Sequence, residues 1–332
     1  MPKKSIAKTN KDDQVIDSML RPSSWQDYIG QEHIKKGLRV ILAAAKKRNE
    51  SSDHLLFYGQ AGLGKTTLAN LIAKEMNANL KIASGPTLEK VGDIVATLSN
   101  LENGDILFID EAHRLNRVIE EALYPAMESR KIHIIIGKGP ASRTICLDLP
   151  PFTLIAATTR PNLLSSPLRS RFGAAFRLDY YEVKDIEIII KRSAEILGIG
   201  IDLGAVSIIA NASRFTPRIA NRLLKRSRDF AEVNNINMID SETAYKTLNL
   251  LEIDKIGLEI ADRQLLEAII KKFNGGPVGA SNLAAAIGED KEIIEEVFEP
   301  YLIRIGMIQR TSSGRVATEK AYKHLRNVKH EV

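Results

Sequence analysis

A single cysteine, Cys146, stands in a chain of 332 residues. One thiol excludes an intramolecular disulfide and any zinc site built on paired cysteines. The six histidines are scattered without ligand spacing, so a histidine metal centre has no support either. Aromatic residues make up only 5% of the chain, with one tryptophan, Trp25. No run approaches the roughly 20 consecutive apolar residues that cross a bilayer. The first ten residues, MPKKSIAKTN, are polar and lack the apolar core of a signal peptide. These absences lead to the expectation of a cytoplasmic protein with no membrane partner.

What is present is enough for two or three domains, with 44% hydrophobic residues to form their cores. The net charge is +6, unevenly spread. Residues 300–332 hold seven Lys/Arg against two Glu, and Arg214, Arg218, Arg222, Lys225, Arg226 and Arg228 crowd against Asp229. A basic end suggests nucleic acid. A solvated charged surface is the alternative, which charge alone does not separate.

The most informative segment is Gly59-Gln60-Ala61-Gly62-Leu63-Gly64-Lys65-Thr66-Thr67. It has the Gly-x-x-x-x-Gly-Lys-[Ser/Thr] spacing of a phosphate-binding loop. Glycines let several backbone N–H groups converge on dense negative charge, and the following helix aims its positive end at the same point. In such a loop Lys65 reaches the β/γ-phosphates and the Thr66 hydroxyl binds Mg²⁺. A glycine turn that binds nothing is the alternative, and context opposes it. An apolar run at residues 55–58 precedes the loop. A helical pattern at 67–76 follows, with Leu68, Leu71, Ile72 and Met76 on one face.

Residues 19–181 alternate between strand and helix patterns, the rhythm of an α/β fold with a parallel sheet. Short apolar runs at 55–58, 106–109 and 153–157 suit buried parallel strands. Runs at 132–136 and 144–149 flank Gly-Lys-Gly-Pro-Ala-Ser-Arg and read as a projecting hairpin. After Glu182 the pattern is helical, with helices expected at 186–197, 205–213, 217–233 and 241–250. Residues 255–332 read as helices at 262–273, 281–287 and 290–305, the second capped by Ser281 and stopped by Gly288. A hairpin at 307–310 and 315–318 follows. Helix, helix, helix, hairpin is the winged-helix order. Residues 1–18 are expected to be disordered or weakly ordered.

A phosphate loop names a ligand but not a reaction. The run Ile106-Leu-Phe-Ile-Asp110-Glu111 supplies the rest. A buried strand ending in two carboxylates presents them at the sheet edge where ligands bind. There Asp110 would hold Mg²⁺ through water, and Glu111 would orient and deprotonate the attacking water. A helix cap is the alternative, and the neighbouring loop favours the catalytic role. Thr158 and Thr159 end the next apolar strand, where a hydroxyl could contact the γ-phosphate or attacking water. Arg171 could serve in trans as a finger that stabilises transition-state charge, or pair on its own surface. Arg218, just after Thr216-Pro217 at a helix start, could reach back to the γ-phosphate or stand exposed.

These elements in this order resemble AAA+ ATPases, and more closely the RuvB family within them. The likeness rests on Leu20-Arg-Pro-x-x-x-x-Asp27-Tyr-Ile-Gly-Gln31, Leu123-Tyr-Pro-Ala-Met-Glu128, Asp148-Leu-Pro-Pro-Phe-Thr-Leu, Thr216-Pro-Arg-Ile-Ala-Asn-Arg-Leu-Leu, Gly275-Gly-Pro-Val-Gly and Asn282-Leu-Ala-Ala-Ala-Ile-Gly. It runs from about residue 20 to 325. A clamp-loader or initiator-like AAA+ switch lacks the projecting hairpin together with the C-terminal unit. A winged-helix regulator with a vestigial nucleotide site would not keep Lys65, Asp110, Glu111 and Arg171 together.

The resemblance implies a large AAA+ domain at 19–181, a small helical domain at 182–254 and a winged-helix DNA-binding domain at 255–332. It implies a homohexameric ring on double-stranded DNA that hydrolyses ATP with Mg²⁺ to drive Holliday junction branch migration. RuvA holds the junction, and RuvC joins in the resolving complex. It places the nucleotide among Leu20, Arg21, Tyr28, Ile29, Gly62, Gly64, Lys65, Thr66, Thr67, Tyr181 and Arg218. Thr158 or Thr159 becomes the first sensor, Arg218 the second, and Arg171 the trans finger. The hairpin becomes the RuvA-docking element, with Ile145 and Leu147 as its apolar contacts. Lys291, Arg310 and Arg315 become DNA contacts, to phosphate rather than to base edges because a motor moves along any sequence.

The chain departs from the family pattern in two places. Gln60-Ala61 stands where Pro-Pro is usual, which restores two backbone N–H groups and implies altered nucleotide affinity or turnover. Ser313 stands at the wing where an arginine is common, which implies one phosphate contact fewer.

Overall fold

The computed structural model describes residues 16–136 and 143–328. The chain packs as two compact units. One runs to Ile189 and takes in Thr216–Arg218; the other comprises Ile190–Phe215 and the chain from Ile219 onward. Most of the expected weakly ordered N-terminus lies outside the described residues. Residues 16–20 form a helical turn, so residues 16–18 are more ordered than expected, and the turn ends on buried Leu20.

The first unit is built on a five-stranded parallel sheet. Its strands are β1 (Leu55–Tyr58), β2 (Leu80–Ser84), β3 (Ile106–Asp110), β6 (Thr153–Thr158) and β7 (Ala174–Arg177). Their spatial order is β2-β3-β6-β1-β7. The three central strands are those legible as apolar runs, because each is buried on both faces. The edge strands β2 and β7 were not expected. Both are partly exposed, and their polar residues break the apolar run.

Register decides where the chemistry can sit. Strand β6 lies between β1 and β3, pairing Tyr58 with Thr158 and Ile109 with Ala156. The loop after β1, the carboxylates ending β3 and the threonines ending β6 therefore share one edge of the sheet. Gly59 N–H donates to the Thr158 carbonyl at 3.2 Å, tying the loop's first residue to β6. Helices Arg117–Ser129 and Val91–Ser99 cover one face through Ile119, Leu123, Ile94 and Leu98.

Strands β4 (Lys131–Ile136) and β5 (Arg143–Asp148) form the expected antiparallel hairpin, separate from the main sheet. The Gly-Lys-Gly-Pro-Ala-Ser stretch between them lies outside the described residues. Ile132 is buried at the root, whereas every residue of β5 is exposed.

In the second unit, helices Leu203–Ala212 and Ser241–Leu250 start on Asp202 and Asp240. These side chains accept from Ala205 N–H at 2.6 Å and Thr243 N–H at 2.8 Å. Two short strands missed by the sequence, β8 (Gly200–Ile201) and β9 (Met238–Ile239), pair in parallel beside them. The winged-helix order is present in helices Ile260–Glu267, Ala280–Ile287 and Glu299–Arg304, then hairpin strands β10 (Ile308–Thr311) and β11 (Gly314–Ala317). Wider π-helical turns extend the first helix through Lys272 and precede the third at Ile294–Phe298. Gly288 ends the helix Ala280–Ile287 in the left-handed region, as expected. Its N-cap, however, is Gly279, not Ser281, because the helix begins one residue earlier. The basic C-terminal stretch forms a helix, Glu319–Val328, with Ala321 and Leu325 in the core.

The helical and winged-helix segments lie within the same compact unit. Phe215 and Ile256 join the winged-helix core. Arg214 pairs with fully buried Asp262 through two contacts of 3.1 and 3.3 Å, and its guanidinium lies 4.3 Å from the Tyr301 ring centroid.

Candidate active site

The phosphate loop enters the helix Lys65–Met76 directly. Its N-cap is Gly64 at φ 101°, and no side chain caps the helix. The helix start is thus presented without a side chain competing for its N–H groups. Gly62 also has positive φ, and a Cβ there would lie 3.0 Å from the Arg218 Cβ, so glycine lets Arg218 pack against the loop.

Lys65 is only 7% exposed. Its ammonium donates to the carbonyls of Gly59 at 2.7 Å and Gln60 at 2.9 Å. Burial lowers its pKa from 10.5 to about 8, Asp110 and Glu111 pull it upward, and Arg218 pushes it down. The lysine expected at the β/γ-phosphates therefore lies within the field of both carboxylates and of Arg218. Thr66 and Thr67 are half-buried on the first helical turn.

Asp110 ends β3, and its Oδ1 accepts from the Glu111 N–H at 3.0 Å. Glu111 adopts the left-handed conformation, φ 49° and ψ 42°. Such backbone is uncommon for glutamate and persists only where packing enforces it. Here Gly85, at the end of β2, packs on the Glu111 carbonyl oxygen, and any Cβ at 85 would collide with it.

Thr158 is fully buried, and its hydroxyl oxygen accepts from Arg160 N–H at 2.9 Å. The next residue, Thr159, is half-buried. His113 lies against this strand end, its Nδ1 2.9 Å from Thr158 Oγ1 and its Nε2 3.5 Å from Glu111 Oε2. Sequence reasoning missed His113 and Gly85. The available signal was His113 three residues beyond Asp110, but its partner Thr158 is remote in sequence.

Leu20, Tyr28 and Tyr181 are 3%, 2% and 4% exposed. Tyr28 packs under the loop, its hydroxyl 3.0 Å from the place of a Cβ on Gly64. Burial, then neighbouring Tyr181, holds the Tyr28 pKa well above the usual tyrosine range. The Tyr181 hydroxyl donates to the Leu63 carbonyl at 3.3 Å, and burial pushes its pKa up to about 12. Both phenols stay neutral and serve as rigid walls. Arg21 is exposed and Ile29 half-buried beside them.

Arg171 is held on its own chain. Its Nη2 lies 3.0 Å from Glu128 Oε1, and its Nη1 donates to the Pro167 carbonyl at 2.6 Å.

In the second unit the expected DNA contacts separate. Lys291 is exposed at a helix start, and the Arg310 side chain is 62% exposed. Arg315, expected to face DNA, is instead buried, with Nε on Glu299 and Nη2 3.1 Å from Glu295. Both carboxylates hold its pKa up against burial. Its charge is spent inside the fold. Three further arginines of the 214–229 run also pair with carboxylates: Arg222 with Glu259 at 2.7 Å, Arg226 with Asp229 at 3.0 Å and Arg228 with Asp229 at 3.0 Å.

A five-stranded parallel sheet whose central strand ends carry a glycine phosphate loop, an Asp-Glu pair and a threonine turn defines a P-loop ATPase of the AAA+ class. Family models agree along nearly the whole chain. Residues 20–178 match the Holliday junction DNA helicase RuvB P-loop domain, 181–254 the RuvB AAA lid domain, and 255–326 the RuvB C-terminal winged helix domain. The chain belongs to the RuvB family. Among solved structures it is similar to the Thermotoga maritima RuvB Holliday junction branch migration motor, at 49% identity over 93% of this chain and 98% of that one, with a TM-score of 0.85. A mutant of the same Thermotoga protein aligns at 49% identity over 92% and 98% of the two chains, with a TM-score of 0.86. No helix among the described residues is long and apolar enough to cross a membrane.

Proposed function

We propose that this protein is an ATP-driven motor for Holliday junction branch migration, acting as a homohexameric ring on duplex DNA with RuvA, and with RuvC during resolution. The observation that carries the reading is the convergence on Lys65. One buried ammonium lies in the field of Asp110 and Glu111 at the end of β3 and of Arg218 from a remote segment of the first unit. The same chain bears a winged helix with exposed Arg310 and Lys291.

In this reading Lys65 and the loop N–H groups hold the β/γ-phosphates. Thr66 and Asp110 are hard oxygen donors at the sheet edge and fit Mg²⁺, Asp110 through water. When bound, the ion neutralises charge that develops on the phosphate oxygens. Glu111 orients the attacking water and accepts its proton as the γ-phosphoryl group transfers. Thr159 is the better choice for the phosphate-sensing hydroxyl, since Thr158 is buried and already bonded to Arg160 N–H. Arg218 senses the γ-phosphate from within the subunit, and Arg171 completes the site of a neighbour in the ring. Tyr28, Ile29, Tyr181, Leu20 and Arg21 surround the base and ribose.

Branch migration of a synthetic four-way junction, with and without RuvA, tests the reading. ATP-dependent strand exchange is expected, faster with RuvA. No ATP-dependent movement under either condition would sink it.

A further inference from the structure

His113 touches two parts of the site that have no covalent reason to communicate. It lies on the 3-10 turn Ala112–Arg114, directly after Glu111, and its side chain is 7% exposed. One ring nitrogen meets Thr158 and the other faces Glu111.

The facing carboxylate favours one tautomer of the neutral ring. Thr158 Oγ1 accepts from Arg160 N–H, so its own hydrogen is free to point at His113 Nδ1. The ring then carries its proton on Nε2, facing the Glu111 carboxylate. The opposite tautomer would turn a lone pair toward that carboxylate, which is repulsive. Three groups thus donate in one direction, Arg160 N–H, the Thr158 hydroxyl and the His113 ring, and the Glu111 carboxylate accepts at the end. Burial lowers the His113 pKa; Glu111 raises it, while Arg160, Arg114 and Lys65 lower it, which favours a neutral ring.

The two ends of the chain differ in strength. The Thr158 contact is 2.9 Å, a full hydrogen bond, whereas the Glu111 contact is 3.5 Å. At that length a small rotation of the carboxylate makes or breaks the second link. The ring is anchored on β6, and the glutamate is the part able to swing.

We propose that His113 is a positioning residue that couples the orientation of the Glu111 carboxylate to the turn Thr158-Thr159-Arg160. Movement of this turn on meeting the γ-phosphate is passed through Thr158 and the ring. Glu111 is then set toward the attacking water or held aside against Nε2–H. The proposal rests on Glu111 being the general base.

The test is a double-mutant cycle in ATP turnover by the assembled full-length protein. His113→Asn keeps a polar group near Thr158 but has nothing to reach Glu111, and Thr158→Val removes the other link. Each single variant should lower kcat by about 10-fold or more, with KM for ATP and nucleotide affinity changed less than about two-fold. The double variant should cost no more than the worse single. His113→Gln, which reaches toward Glu111 but not Thr158, should fail to restore kcat and serves if the Asn variant unfolds. Multiplicative losses, or kcat restored by Gln alone, would overturn the coupling. Glu111→Gln separates the two readings. If that variant hydrolyses ATP normally, the base assignment falls and the coupling with it; if it is inactive while the cycle is multiplicative, only the coupling falls.

Discussion

The Arg171 guanidinium lies 4.4 Å from the centroid of the Tyr124 ring, and both side chains are tied to neighbours, Arg171 to Glu128 and Tyr124 to Ser165. Tyr124 and Glu128 lie one helical turn apart on Arg117–Ser129, so a single helix face grips the arginine from two sides. The grip predicts a separation of stability from activity. Glu128→Gln should change unfolding free energy by less than about 1 kcal/mol, since the carboxylate is largely exposed. It should lower ATP turnover of the assembled protein several-fold by loosening the finger. Arg171→Ala should abolish turnover and leave ATP binding intact. Normal hydrolysis by an assembled Arg171→Ala ring would remove Arg171 from the trans role.

Lys65 gives a pH dependence of definite sign. With a pKa of about 8 in the free protein, its ammonium is present below that pH and lost above it. Bound phosphate favours the charged form and raises the value again. The ratio kcat/KM for ATP, which reports the free enzyme, should therefore fall above pH 8, by about tenfold per further unit at most. The profile of kcat alone should stay flatter across that range. Lys65→Ala should abolish turnover at every pH. Steady-state kinetics from pH 6.5 to 9.5 would reveal the split, and parallel declines in both parameters would contradict it.

The winged-helix arginines should behave as opposites. Arg315→Ala leaves buried Glu299 without its close cation and should destabilise the fold by about 3–5 kcal/mol in denaturant melts. Arg310→Ala and Lys291→Ala should leave stability nearly unchanged. Each should weaken DNA binding for all sequences alike and reduce the slope of log affinity against log salt by about 1. A salt slope unchanged in both variants would remove them from the DNA face.

Ile145 and Leu147 are 42% and 36% exposed and share one face of β5. Apolar residues on a projecting hairpin invite aggregation unless a partner covers them. Replacing both with serine should alter stability by less than about 0.5 kcal/mol. It should abolish stimulation by RuvA in branch-migration assays and preserve basal ATP turnover. Retained RuvA stimulation would place docking elsewhere.

How far the sequence could be read depended on whether a feature was local. The strands at residues 106–110 and 153–158 were legible because burial on both faces leaves an unbroken apolar signature. The edge strand Leu80–Ser84 hid because Lys81 interrupts it and Ile82 faces solvent at 62% exposure. Spacing identified the loop residues, since Gly59, Gly64, Lys65 and Thr66 lie in one continuous stretch of chain. The fate of Arg315 could not be read that way. Its partners Glu295 and Glu299 stand 20 and 16 residues earlier, and only the packed fold brings them to it. His113 and Thr158 are 45 residues apart and meet for the same reason.

The lone cysteine also has a practical consequence. Cys146 is exposed on β5 between Ile145 and Leu147, and strand alternation turns it to the opposite side of the hairpin. A thiol-reactive dye would therefore attach at one site per chain, on the back of the element that carries the two aliphatic side chains. Its polarisation would report what covers the hairpin's front while leaving that front chemically untouched, with no engineered cysteine required.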